Sequence, residues 1–272
     1  MTKLRSFLGI ALAAALVLCG AAAYTSFAKY ATIPSANQDT LYQVSTFDAL
    51  MHGIYDSNVT IGNLKAHGDF GIGAFEGMDG EMMVLDGQVW QSKTDGSVSL
   101  ASDNQTTPFA MITHFDSSIL QETPGNAMNF SEFKAEMAHR LPSQNMIYAV
   151  KIHGTFPSVT VRAIPAQEKP YPLLTDAVRQ QKIFTYTNIS GTLVGFYMPA
   201  IYKDLNIVGY HLHFISDDHT RGSHVLDVTL APGTTVQYDQ KPDLTVALPA
   251  SGPFASTDFS ADTYSGDMAT GD

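Results

Sequence analysis

The sequence predicts a mixed α/β (α+β) protein whose second half is an antiparallel, β-barrel-like region. Three observations support this class. Two segments in the first half carry apolar residues at three- and four-residue spacing, a meander of short apolar runs is broken by Asp-Gly pairs, and a dense series of strand-length segments follows residue 191. With 44% apolar residues, and about 240 residues once a leader is removed, the chain can bury a substantial core.

In chain order, residues 1–28 read as an export signal. Lys3 and Arg5 precede an apolar run over residues 7–18, and small residues follow with cleavage sites after Ala23 or Ala28. That run is too short for a comfortable membrane span, so the expectation is a periplasmic or extracellular protein with no stable membrane association once the signal is gone. Cys19 is the only cysteine and lies within the leader, which excludes a disulfide framework and any thiolate metal site in the mature chain. The formal charge of -11 becomes two units more negative when Lys3 and Arg5 leave, which argues against nucleic acid or anionic lipid as partners.

Residues 45–64 begin in a helical pattern, with Ser45 or Thr46 as cap and Phe47, Leu50, Met51 and Ile54 on one face. Asp86-Gly87 and Asp95-Gly96 are hairpin signals between runs rich in Val, Met, Leu and Trp90. A second helix is predicted over residues 131–141, with Phe133, Met137 and Leu141 in register, Glu136 four residues before Arg140, and Pro142 as the stop. Strands are predicted from "NMIYAVKIHG" and "SVTVRAI", and "PYPLLTDAVRQQ" reads as a helix entered through prolines. Further strands follow in "GTLVGFYMP" and over residues 207–215, 224–230, 235–238 and 244–248. Residues 251–272 turn to Ser, Gly, Asp, Ala and Thr and read as a loose tail.

The chemistry concentrates in "GYHLHFISDDHTRGSHVLD", which holds four of the nine histidines. Side chains alternate along a strand, so His211 and His213 share one face while Tyr210, Leu212 and Phe214 occupy the other. A turn ending near Gly222 can bring His224 back beside that pair, whereas His219 is expected as an exposed loop residue outside any ligand set. Three neutral imidazoles with open positions are the donor set of a catalytic metal, and nitrogen-only donors suit zinc, iron, nickel or copper. Zn2+ is the default expectation. Two histidines facing water is the simpler alternative for His-x-His alone; the third histidine and the apolar opposite face weigh against it.

Five motifs, "LKAHGDFGIGAFEGMDGEM", "LPSQNMIYAVKIHGTF", "TVRAIPAQEKPY", "GTLVGFYMPAIY" and "GYHLHFISDDHTRGSHVLDV", occur in the order found in the acetolactate decarboxylase family, and the chain closely resembles that family over residues 41–248. The resemblance implies conversion of 2-acetolactate to acetoin and carbon dioxide at a zinc ion held by His211, His213 and His224. It implies functional roles for Glu81, in the "DGE" turn, and for Arg162. A further family glutamate near the C-terminus falls on Asp267 by ungapped alignment from Phe259, one methylene shorter. The resemblance also implies a homodimer, and a division between an N-terminal mixed sheet with helices (residues 29–181) and a C-terminal β-rich zinc-binding domain (residues 182–250). Two rivals remain at this point: a cupin-like metal-dependent oxygenase or isomerase, in which Asp217 and Asp218 stand where a glutamate would follow the His pair, and a non-enzymatic exported metal-binding protein.

Overall fold

A computed structural model describes residues 38–116 and 120–260. The predicted leader and Asp267 therefore lie outside the described residues. Among the described residues no helix is long and apolar enough to cross a membrane.

Among the described residues, two seven-stranded sheets make up the architecture. The first contains β1 (Thr40–Val44), β2 (Phe70–Ala74), β3 (Glu81–Leu85), β4 (Gln88–Ser92), β5 (Val98–Leu100), β6 (Phe109–Thr113) and β14 (Asp243–Ala247), in the order β14-β1-β6-β2-β3-β4-β5. All its ladders are antiparallel except β1 with β14, which makes the sheet mixed. The second contains β7 (Leu120–Glu122), β8 (Met128–Asn129), β9 (Ile147–Ala163), β10 (Lys182–Met198), β11 (Gly209–Ser216), β12 (Gly222–Leu230) and β13 (Thr235–Lys241), in the order β7-β13-β9-β10-β11-β12-β8.

The second sheet is partly closed. One edge of β9 pairs with β13 over its first half and with β12 over its second, while β10 runs along the other edge, so β9, β10, β11 and β12 form a ring. This is the barrel-like region the strand spacing predicts. Closure removes free edges and gives the inward face a core of its own, including Val159, Val161, Leu212, Phe214 and Val225.

Sheet membership does not follow chain order about residue 181. β9 lies before that position and β14 well after it, yet β9 belongs to the second sheet and β14 to the first. The reason is pairing: β9 and β10 form one antiparallel hairpin of 17-residue strands straddling the position, and "NMIYAVKIHG" and "SVTVRAI", read as separate strands, are parts of β9.

The first predicted helix is shorter than its pattern. Helix α1 (Phe47–Met51) begins on a Thr46 side chain that accepts from Ala49 N–H, as a cap should. It ends at His52 because Gly53 turns at φ +76° with its Cα pressed onto the Pro172 carbonyl, where a Cβ would stand 2.6 Å from the oxygen. A separate one-turn helix α2 (Ile61–Leu64) follows. Helix α3 (Phe130–Arg140) matches the periodic prediction within a residue at each end and carries a capping box between Asn129 and Glu132. Helices α4 (Leu174–Val178) and α5 (Pro253–Ser256) are short.

Alternation on the strands builds the layers. On β6, Phe109 and Met111 face the second sheet, where they pack with Val194 and Phe196, while Ala110 and Ile112 face outward onto Ile61 and Leu64. On β3, Met82 and Val84 take that outward side, which leaves Glu81 on the face turned toward the second sheet.

Candidate metal centre

Three neighbouring strands carry the centre. Register places His213 of β11 opposite His224 of β12, and His224 opposite Arg162 of β9, so one row across the ring holds two imidazoles and a guanidinium. His211 sits two residues before His213 on the same face. Tyr210, Leu212 and Phe214 turn to the ring core.

The three rings converge as a nearly equilateral set, with centroids 5.2, 4.9 and 5.1 Å apart. His211 Nε2 lies 3.2 Å from His224 Nδ1, and His213 Nε2 lies 3.3 Å from the same atom. Ring nitrogens bound to one tetrahedral ion at about 2.0–2.1 Å stand roughly 3.3 Å apart, so these spacings fit a common cation. The second contact of His213 fixes its tautomer: Nδ1–H donates to the Met82 carbonyl at 2.8 Å, leaving the Nε2 lone pair for the centre. A proton on His224 Nδ1 could serve only one of its two contacts, whereas a cation among the rings satisfies all three lone pairs. Burial pushes all three imidazoles toward the neutral form that binds metal; His213 is pulled down to about 3, with Arg162 adding to the effect. The Nδ1 of His211 is buried and has no hydrogen-bond partner among the described residues.

Glu81 reaches the same point from the other sheet. Its Oε2 is 3.8 Å from His213 Nε2, and its Oε1 is 4.0 Å from Arg162 Nη1. Burial raises its carboxyl to about 7, partly opposed by the Arg162 charge. Burial likewise depresses the Arg162 guanidinium, and its Nη1 is enclosed with no hydrogen bond among the described residues. A carboxyl that holds a proton near neutrality, beside a cation with an unused donor, is poised for proton transfer and for binding an anion.

These groups line a cavity of about 850 Å³ between the sheets. Its far wall is apolar, formed by Phe47 and Leu50 of α1, Phe109, Ile164, and Leu174 and Val178 of α4. From sequence, Phe47 and Leu50 read only as one face of a helix and Leu174 and Val178 only as parts of another, because a core face and a cavity wall share the same spacing. The Met82 carbonyl was equally invisible, since a backbone acceptor leaves no side-chain signal.

The structure thus brings together five of the six residues singled out as functional; Asp267 lies outside the described residues. His219 is not in the cluster, as expected, but it is half-buried rather than exposed, with its ring stacked on Trp90 at 4.3 Å. Asp217 faces His153 at 3.3 Å, and Asp218 accepts from Ser216 and Thr220 within its own loop. The only described group of three or more potential donors that could hold a metal is His211, His213 and His224.

A model of the alpha-acetolactate decarboxylase family matches residues 41–261. The chain belongs to that family. It is 46% identical over 221 residues to an alpha-acetolactate decarboxylase of Methanosarcina mazei, covering 81% of this chain and 76% of the relative. A Bacillus licheniformis alpha-acetolactate decarboxylase is 39% identical over 223 residues, covering 82% and 87%. Among solved structures, the Bacillus subtilis strain 168 alpha-acetolactate decarboxylase superposes with TM-score 0.79 at 35% identity, covering 82% of this chain and 94% of that one. The family's named members are carboxy-lyases, and the expectation of an enzyme of that class stands with the membership.

Proposed function

We propose that the protein converts 2-acetolactate to acetoin and carbon dioxide with a bound zinc ion. The observation that carries this reading is the convergence of three neutral imidazoles, a proton-holding carboxyl and an enclosed guanidinium on one cavity.

Acetolactate bears a carboxylate and a hydroxyl on one carbon and a ketone on the next. When the carboxylate leaves as carbon dioxide, the bonding pair moves toward the ketone and forms an enediolate; protonation at the carbon that lost the carboxylate then gives acetoin. His211, His213 and His224 would hold the divalent ion, which supplies a Lewis acid for the charge developing on the substrate's oxygens. Arg162 offers its free Nη1–H to those anionic oxygens and steadies them. Glu81, protonated near neutrality, delivers the proton. The apolar wall of Phe47, Leu50, Leu174 and Val178 keeps water from competing as a proton source, so one face of the enediolate is protonated and one enantiomer of acetoin results.

Asp267 is proposed as a second acidic group of the site. Phe259 meets His52 edge-on at 5.3 Å and Phe254 at 5.2 Å, which holds the last described residues beside α1, whose Phe47 and Leu50 line the cavity. Truncation after Phe254 should lower turnover; unchanged kinetics would remove the tail from the mechanism. Export through residues 1–28 and a homodimer are proposed from the leader pattern and the family resemblance. They are checked by N-terminal sequencing of the mature protein and by light scattering.

The deciding experiment incubates purified, zinc-loaded protein with racemic acetolactate. Equal amounts of acetoin and carbon dioxide are expected, lost with a chelator and restored by zinc. Stoichiometric zinc without carbon dioxide release would favour a metal-carrying protein, and bound iron with oxygen consumption would favour the cupin-like rival.

A further inference from the structure

Glu81 belongs to one sheet and the imidazoles to the other, so their spacing depends on what registers the sheets against each other. Two hydrogen bonds cross between the sheets beside the site. One is the bond from His213 Nδ1–H to the carbonyl of Met82, the residue after Glu81. The other comes from Ser92, a buried residue at the end of β4 that lies directly opposite Glu81 in the β3–β4 ladder and so shares its face. The Ser92 hydroxyl donates to the Gly222 carbonyl at 2.8 Å. Gly222 opens β12 two residues before His224 and pairs with Ile215 two residues after His213.

The backbone on either side of Ser92 is closely packed. A Cβ on Gly80 would stand 2.1 Å from the Ser92 carbonyl oxygen. One on Gly222 would stand 2.6 Å from the Phe214 carbonyl and 3.0 Å from the Met83 methyl. Ser92 thus meets Gly80, at the entry to the strand that carries Glu81, through its own carbonyl, and Gly222, on the strand that carries His224, through its hydroxyl, while Gly222 itself is pressed onto Phe214 and Met83. The two cross-sheet bonds bracket Glu81, one through its chain neighbour and one through its ladder partner.

We infer that Ser92 is a positioning residue: its bond to Gly222 holds Glu81 at its working distance from His213. The inference rests on the proton-donor role proposed for Glu81, so its test has one arm that reads turnover and one that does not. In the full chain loaded with zinc, Ser92→Ala should keep its metal and its KM for acetolactate while kcat falls on the order of 10- to 100-fold, the scale of a misplacement near 1 Å. Placed on top of Glu81→Gln, the same substitution should cost no further kcat, because both changes act through one group. Ser92→Thr, which keeps the hydroxyl, should recover most of the loss. An unchanged kcat in Ser92→Ala, or an equal loss in both backgrounds, would overturn the assignment.

The second arm is hydrogen exchange. Amides of residues 81–83 and 222–225 should exchange faster in Ser92→Ala while the rest of the chain is unaffected, and unchanged exchange at those amides would also overturn it. Localised exchange in a protein that never turns over acetolactate would leave the cross-sheet clamp standing and remove the reading of the reaction. Should Ser92→Ala not fold, Ser92→Cys, isosteric but a weak donor, enters the same cycle with the same two outcomes.

Discussion

Strand β11 carries histidines toward one end and leads into another at its far end, and the two places differ in everything except residue type. At the first, His211 and His213 are buried, their lone pairs converge with that of His224, and among the described residues the acidic oxygen that approaches the three rings is that of Glu81, at 3.8 Å from His213. At the second, a polar groove of about 430 Å³ holds His153, Asp217 and His219. There His153 pairs with Asp217 at 3.3 Å, both side chains more than half exposed, and His219 lies flat on Trp90. The contrast teaches that enclosure and convergence, rather than a count of histidines, make a candidate ion site. Groups already satisfied by water, by an acid or by a ring have no reason to gather a cation, whereas buried lone pairs facing one another do.

The sharpest way to break this comparison is to remove one imidazole from each place. His213→Ala should abolish both stoichiometric zinc and acetolactate turnover, while His153→Ala and His219→Ala keep both. Metal analysis alongside an acetoin assay checks it, and a His213→Ala protein with full metal and rate would sink the distinction.

Glu81→Gln separates holding the ion from using it. Metal content should stay whole while turnover drops by roughly 100- to 10,000-fold, the range for a lost general acid. Burial lifts this carboxyl to about 7 without an ion, and a divalent cation among the rings pulls it down, so wild-type kcat should decline with rising pH at or below about 7, and a kcat that stays flat up to that point would argue against Glu81 as the donor.

A smaller effect is expected on stability without metal. The buried imidazoles resist protonation in the folded state, but in the unfolded chain they take up protons below their ordinary 6.5. The unfolded state then binds more protons, so this contribution is present above 6.5 and is lost as pH falls. Glu81 acts in the opposite sense between 4.5 and about 7, because the folded state keeps a proton that the unfolded chain releases. Three rings outweigh one carboxyl, and urea midpoints of chelator-treated protein should be lower at pH 5 than at pH 7.5. Equal midpoints would mean that the rings are less enclosed than the comparison requires.

The mildest change lies at the cap of α3, whose Phe130 and Lys134 reach the lining of the cavity. Asn129→Ala removes the side-chain half of the α3 capping box and should cost about 1 kcal/mol of stability with no effect on turnover. A change in kcat would mean that the position of Phe130 or Lys134 shapes the cavity for the substrate.

Legibility tracked how local each feature is. Helix α3 was readable because Phe133, Met137, Glu136 and Arg140 fall at helical spacing and Pro142 stops the run. The α1 segment misled in length because its end depends on Gly53 meeting Pro172, more than a hundred residues away. The single strand β9 was read as two because its continuity comes from its ladder with β10. Within the candidate site, His211 and His213 followed from strand alternation and His224 from a turn of plausible length. Glu81 and Arg162 could be named only through family resemblance, since in isolation one looks like a strand-edge acid and the other like an exposed strand base.

By itself the sequence determined which side chains share a strand face, where tight turns and the one long helix stand, and that any transition-metal site must rely on histidine and carboxylate. These are matters of period and composition within a few residues. Tertiary structure alone decided that β3 meets β11 and β12, bringing Glu81 to 3.8 Å from His213 and 4.0 Å from Arg162 inside an enclosed space. The approach of two sheets is set by packing over the whole core and by the non-local return of β14, and the desolvation that lifts the Glu81 carboxyl exists only once both faces have closed on it.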